Sequence, residues 1–418
     1  MKKIQISLIG LFIFCFLSVS CATTKQTEDP EKLIYDIQFI QIDLASSSMK
    51  ALYDPQPFEE LKQDVRDGKV NRIDCIFRIK EILSNFHIVH LRLSEVFSED
   101  EPVMHSPINL YYMGDDFFVN FTTPKYQKYI GWKVKEMGGK PIDQAWKELA
   151  RFIPYETEIG AKYFAAQTSR YYDFKYADLL DKNNKISYVL ESKDGQTEKL
   201  TCRFVNVRKT NWIGIQPDKP NPYSPYFISN YYELQPCPER KTIYIPYNSC
   251  QGIPGYPATD LIEDLMKELR TSAYDTVVFD IRLNAGGEQF ITQLFRHKLY
   301  DNREELLKYN IAIVIGGRTY SAACWFLNNF LDVFPEATVF GEETGEAVFN
   351  YTMVMPYELH NLSCEFMFPQ IIDNLPVLKA RAKDIYRGTM PDVEVKESLE
   401  DFLNGQDTIY NAIYAYYN

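Results

Sequence analysis

Two turns in the last third of the chain carry residue types suited to acyl-transfer chemistry. The first, Arg318-Thr319-Tyr320-Ser321-Ala322-Ala323, joins an apolar run, Asn310 to Gly316, to an apolar helical pattern, Ser321 to Phe334. A serine at a helix start sits where the positive helix end favours alkoxide character, and the next N–H, that of Ala322, can join an oxyanion hole. Taken singly, the Thr319 and Ser321 hydroxyls are explained as well by helix capping. The second turn, Asp280 to Gly287, closes one apolar strand and opens the next helix. Gly286 and Gly287 let the backbone approach a substrate and aim N–H donors at a developing oxyanion, worth about 3–4 kcal/mol per donor. Taken singly, a tight turn that needs glycine explains them too.

A serine nucleophile needs a base within hydrogen-bond reach. The histidines are His87, His90, His105, His297 and His360, and only the first two lie close together. No cysteine or carboxylate motif accompanies that pair, so neither a metal site nor a cofactor is expected.

The elements that must position these residues follow from apolar periodicity. Strand and helix patterns alternate: strands at 242–247, 276–283, 310–316 and 337–341, helices at 258–270, 288–299 and 321–334. Fully apolar strands in β-α-β order predict a parallel sheet covered by helices, hence an α/β core over 208–418. Ligands of such sheets sit beyond the carboxyl ends of strands, where both turns fall. Residues 31–106 read as a helical module, with helices to about Ser98 broken at Tyr53-Asp54-Pro55-Gln56-Pro57 and at Asp67-Gly68. Residues 107–207 read as a β-rich module, with strands at 109–113, 117–121 and 133–137, a helix from Ile142 to about Phe152, and a hairpin around Asp194-Gly195.

In this order the motifs resemble the tail-specific (C-terminal processing) serine peptidase family, which includes the tricorn core. Asp280 to Gly287 matches its Asp-x-Arg-x-Asn-x-Gly-Gly turn, Thr319 to Ala322 its nucleophile turn, and Gly341 to Gly345 its Gly-Glu-x-Thr-Gly segment. Arg387 to Val395 with Asn404-Gly405-Gln406-Asp407 is similar to its closing stretch, and Gly131 to Ile142 to part of its PDZ-like domain. The resemblance spans most of the chain. It implies a ClpP/crotonase-like core, a PDZ-like domain at 107–207, Ser321 as nucleophile, and oxyanion donors among Gly286, Gly287 and Ala322.

Many members place a lysine base shortly after the Thr-Gly segment, but this chain reads Glu346-Ala347-Val348. The tricorn-like branch takes a histidine from an amino-terminal helix, in a setting similar to Glu81 to His90. That implies His90 as base, with His87 next; a packed or surface helical histidine is the other explanation. The branch's orienting glutamate falls here at about Ile385, beside Asp384. Glu342, Glu343 and Glu346 lie near and read as solvated loop carboxylates, so no third catalytic residue is assigned.

The amino terminus reads as an export signal over 1–20: Lys2-Lys3, an apolar run from Ile4 to Leu17, and small residues before Cys21. The run is shorter than the ~20 residues that span a bilayer. Cys21 resembles a bacterial lipidation site, although the usual leucine is displaced by one position, to Leu17. Lipidation with a tether at 21–30 would place the protein at a membrane of the cell envelope; a cleaved leader is the alternative. Six cysteines follow, Cys75, Cys202, Cys237, Cys250, Cys324 and Cys364, and their spacing leaves disulfides and buried thiols both open. The net charge of −12 without a basic block excludes a nucleic-acid footprint, and 30 Tyr with 27 Phe exclude a disordered chain.

Two functions fit. One is an endopeptidase acting on exported polypeptides, which the PDZ-like module would hold by strand addition. The other is a non-catalytic peptide- or lipid-binding surface lipoprotein on the same fold. The oligomeric state is not legible.

Overall fold

The computed structural model describes residues 29–98, 101–271 and 273–418. The leader, the tether and Cys21 lie outside them. Among the described residues no helix is long and apolar enough to cross a membrane.

The first helix, Pro30–Ser46, starts with Asp29 accepting the Glu31 N–H at 3.1 Å and buries Leu33, Ile34, Ile37, Ile40 and Leu44 along one stripe. Gln56–Arg66 follows the expected break, and Gly68 takes φ 65° at the next. Arg72–Ser84 opens with a reciprocal cap: the Asn71 side chain accepts from Ile73 and Asp74, and the Asp74 side chain accepts from Asn71. The helices end there rather than running to Ser98. Arg92–Glu95 is a strand, and it pairs antiparallel with Cys364–Ile372, which pairs in turn with Tyr351–Leu359. Asp36 of the first helix accepts the N–H groups of Asn361 and Leu362 at the turn of that hairpin, each at 2.9 Å.

The β-rich region is an antiparallel sheet ordered Ile213–Gly214, Asp116–Thr122, Lys133–Met137, Ile186–Glu191, Thr197–Cys202, with Ile108–Met113 also on Asp116–Thr122. Ile213–Gly214 brings residues beyond 207 into it. Its apolar face, the amino-terminal helices and the 351–372 hairpin share one continuous core, including Phe58, Phe77, Val119, Val134, Tyr188 and Phe366. The boundary placed at 106 therefore separates two secondary-structure patterns but not two cores.

The α/β core has strands Thr242–Pro246, Thr276–Asp280, Asn310–Ile315, Thr338–Gly341 and Val393–Glu394 in sequential parallel order, edged by antiparallel Gln235–Cys237. Alternate strand residues feed two layers. Ile243, Ile245, Val277, Phe279, Ile311 and Ile313 meet Leu265, Phe295, Phe326 and Phe330 of the helices Ala258–Glu268, Gln289–Asp301 and Ala322–Val333. Tyr244, Val278, Ala312 and Phe340 meet Ile409, Tyr410 and Ile413 of the Thr408–Tyr417 helix. Each fully buried Val, Leu, Ile or Phe among them contributes roughly 1.5–3 kcal/mol of burial. All six described cysteines are buried.

Candidate active site

The strand Asn310–Ile315 ends in a turn that Thr319 ties down. Its hydroxyl accepts the Gly316 N–H at 3.1 Å and donates to the Ile281 carbonyl at 2.9 Å, linking the carboxyl ends of two neighbouring strands. Thr319 is thus a strand-end lock rather than a helix cap. Ser321 follows at φ 59° and ψ −130°, and the helix begins at Ala322. Its side chain makes no capping bond. A serine there is held in a backbone region that costs about 1–3 kcal/mol, and such strain gathers at functional sites.

The Asp280–Gly287 turn packs directly on this serine. A Cβ on Gly286 would sit 2.7 Å from Ser321 Cβ and 3.0 Å from the Ala322 nitrogen, so only glycine permits the approach. Asn284 shapes the turn by accepting the Gly286 N–H at 2.9 Å and donating to the Tyr247 carbonyl at 2.9 Å. The Gly286 N–H is therefore already used. Those of Gly287 and Ala322 have no acceptor among the described residues, which leaves these two as the available donors.

The side chains of Asp280 and Arg282 are committed to a buried ion network. Arg282 is 3% exposed and pairs with Asp280 at 2.6 Å, Glu397 at 2.9 Å and Asp407 at 3.0 Å. The Asp-x-Arg motif and the closing Gly-x-Asp stretch are thus two halves of one buried ion network.

His90 lies past the end of the Arg72–Ser84 helix, not on it. His87, at φ 53°, turns the chain out of the helix, and its exposed ring stacks edge-on against Tyr155. The chain then dips inward, and His90 is buried with Nε2 3.4 Å from Oε1 of Glu346. The other oxygen of Glu346 accepts the Ser321 N–H. Ser321 and His90 thus meet on one carboxylate, while His87 takes no part.

Glu346 is 1% exposed, not the solvated loop carboxylate expected from sequence. Glu342 is buried too, and desolvation with nearby Glu397 pushes its carboxyl up to about 8. Glu343 accepts from Gly388 N–H at 3.0 Å and Arg387 at 3.1 Å. Asp384 is exposed and caps its own turn at Tyr386, so the region of the family's usual glutamate supplies no acid to His90.

Two further carboxylates surround the pair. Asp373 accepts from Trp325 Nε1 at 2.7 Å and Thr352 Oγ1 at 2.5 Å; burial and, less, Glu346 raise it to about 6. Glu156 accepts the Val89 N–H at 3.1 Å and the Ala347 N–H at 2.9 Å. Burial first and Glu346 second hold its carboxyl well above the usual range. Sequence offered one signal for Glu346, its place directly after the Thr-Gly segment. It offered none for Glu156 or Asp373. A cavity of about 880 Å³ walled by Phe97, Arg170, Tyr171 and Phe204 lies elsewhere and includes no residue of this site.

No protein-family model matches the chain, and no curated protein does. Among solved structures it is similar to mature CPAF, at 12% identity over 92% of this chain and 96% of that one, with a TM-score of 0.60. The complex of mature CPAF with lactacystin gives 11% identity over 93% and 97%, with a TM-score of 0.59. At such identity the likeness is one of fold. The chain has the tail-specific, S41-type serine peptidase fold, along nearly its whole length.

Proposed function

We propose that the protein is a serine endopeptidase with Ser321 as nucleophile, His90 as general base and Glu346 as the acid that orients the base. The observation carrying this reading is the shared carboxylate, which touches the backbone of the serine and the ring of the histidine. With Nε2 facing Glu346, Nδ1 is the ring nitrogen left to take the proton. Ser321 Oγ attacks a peptide carbonyl carbon while its proton passes to His90. The Gly287 and Ala322 N–H groups hold the oxyanion. The imidazolium then protonates the leaving amine as the C–N bond breaks, and water hydrolyses the acyl-enzyme by the same base.

The substrate in this reading is an unstructured stretch of an exported polypeptide, held by the antiparallel sheet acting as a PDZ-like module, with the enzyme anchored to an envelope membrane through lipidated Cys21. Labelling with a fluorophosphonate probe tests the chemistry. The wild type is expected to label and the Ser321→Ala variant not to; labelling that persists in that variant overturns the assignment. Mass spectrometry of the mature amino terminus tests the anchor.

A second reading, a non-catalytic binding lipoprotein, has one observation in its favour. The Ser321 side chain has no hydrogen-bond partner among the described residues, and His90 Nε2 addresses Glu346 rather than that hydroxyl. Catalytic hydrogen bonds are commonly loose in a free enzyme and tighten with substrate, so this favours the second reading only if the probe fails to label.

A further inference from the structure

Glu156 lies outside every motif of the chain and on neither turn, in the short link between the helices Ile142–Ala150 and Glu158–Gln167. Its two carboxylate oxygens are divided. Oε1 accepts from Val89, the residue before His90, and Oε2 accepts from Ala347, the residue after Glu346. The neighbouring Thr157, 5% exposed, completes the grip: its hydroxyl lies 3.0 Å from the carbonyl of Gly345, the residue before Glu346. Gly160 closes the contact, since a Cβ there would stand 2.5 Å from that same carbonyl. Glu346 is therefore held on both sides by one dipeptide, and the same dipeptide holds the backbone entering His90.

We propose that Glu156 is a positioning residue that sets the distance between His90 and Glu346 by bridging the Val89 and Ala347 N–H groups with one carboxylate. This rests on the reading of Ser321, His90 and Glu346 as the catalytic set.

The choice of a carboxylate is informative. Two N–H donors on separate segments need two acceptor oxygens on one rigid head, which a carboxylate has and an amide does not. A glutamine would turn its NH₂ toward one of the donors. Burial and, second, the nearby Glu346 raise the proton affinity of Glu156, yet each of its oxygens accepts one of the two N–H groups. The arrangement makes sense where geometry at His90 is what is being maintained.

The test uses full-length mature protein, with the second-order rate of fluorophosphonate labelling at Ser321 and, on a peptide substrate, kcat and KM separately. Glu156→Gln is expected to slow labelling and lower kcat at least tenfold, with KM changed less than threefold and the thermal midpoint within a few degrees of wild type. Glu156→Asp, too short to reach both donors, is expected to behave alike and carries the test should the glutamine variant melt below assay temperature. In a His90→Ala background Glu156→Gln is expected to add no further loss, because the residue acts through that ring. Wild-type rates in both variants, or a full extra loss without His90, overturn the proposal. Absence of Ser321-dependent labelling in the wild type instead overturns the catalytic reading on which it rests.

Discussion

Oε1 of Glu346 lies 3.4 Å from Nε2 of His90. A carboxylate so placed can fix the tautomer of an imidazole and stabilise its charged form.

Replacing Glu346 by glutamine keeps an oxygen for the Ser321 N–H but turns an amide NH₂ toward the ring. The imidazole is then offered a donor where it needs an acceptor. Labelling of Ser321 and peptide turnover are expected to fall by about 10²–10⁴-fold, the usual worth of general acid–base catalysis. Retention of wild-type rates would remove Glu346 from the mechanism.

Ser321 stands at φ 59° and ψ −130°, where glycine is at ease and serine is not. Relief of that strain exceeds the entropy glycine loses on folding, so Ser321→Gly is expected to be about 1 kcal/mol more stable than Ser321→Ala. Urea unfolding of the two inactive variants makes the comparison. Equal midpoints would show that the turn stores no strain.

Among the described residues Arg282 is the only cation in the network of Asp280, Glu397 and Asp407 contacts, and its guanidinium also lies 5.0 Å from the Tyr410 ring. Arg282→Met leaves three carboxylates facing one another in a buried site. A loss of about 3–5 kcal/mol in unfolding free energy is expected, the range for stranding a buried charge. A loss under about 1 kcal/mol would mean that water reaches the network.

Asp373 gives stability a pH dependence with a defined sign. Its folded value of about 6 lies above the ordinary 3.8, so between these the folded state holds a proton that the unfolded chain has released. Stability from this group is full below the lower value, falls as pH rises through the window, and is level above it. At about 1.4 kcal/mol per unit the loss is roughly 3 kcal/mol at most. Asp373→Asn removes this slope, so its stability relative to wild type is expected to rise from pH 4 to pH 6 and then stay constant. Parallel curves in urea titrations at those pH values would refute the assignment.

The parts of the molecule written plainly in sequence are those governed by local periodicity. Thr276–Asp280 is buried at every residue and reads as an unbroken apolar run; Lys133–Met137 appears with the bounds expected of it. The hairpin Tyr351–Leu359 and Cys364–Ile372 was hidden because Pro356, Pro369 and Met353, at φ 56°, interrupt its alternation. His90 was placed on a helix because nothing local announces that His87 will adopt a left-handed turn. Glu346 and Glu156 were beyond reach for another reason: the burial of a loop carboxylate is decided by residues far along the chain, here Val89, Ser321 and Ala347.

The pairing of Arg92–Glu95 with Cys364–Ile372 has a consequence for the order of events during biosynthesis. A ribosome delivers His90 some 270 residues before the strand that completes its sheet. Until that strand emerges, the amino-terminal helices lack part of the surface they pack against. The segment around His90 thus gains its full packing only late in synthesis.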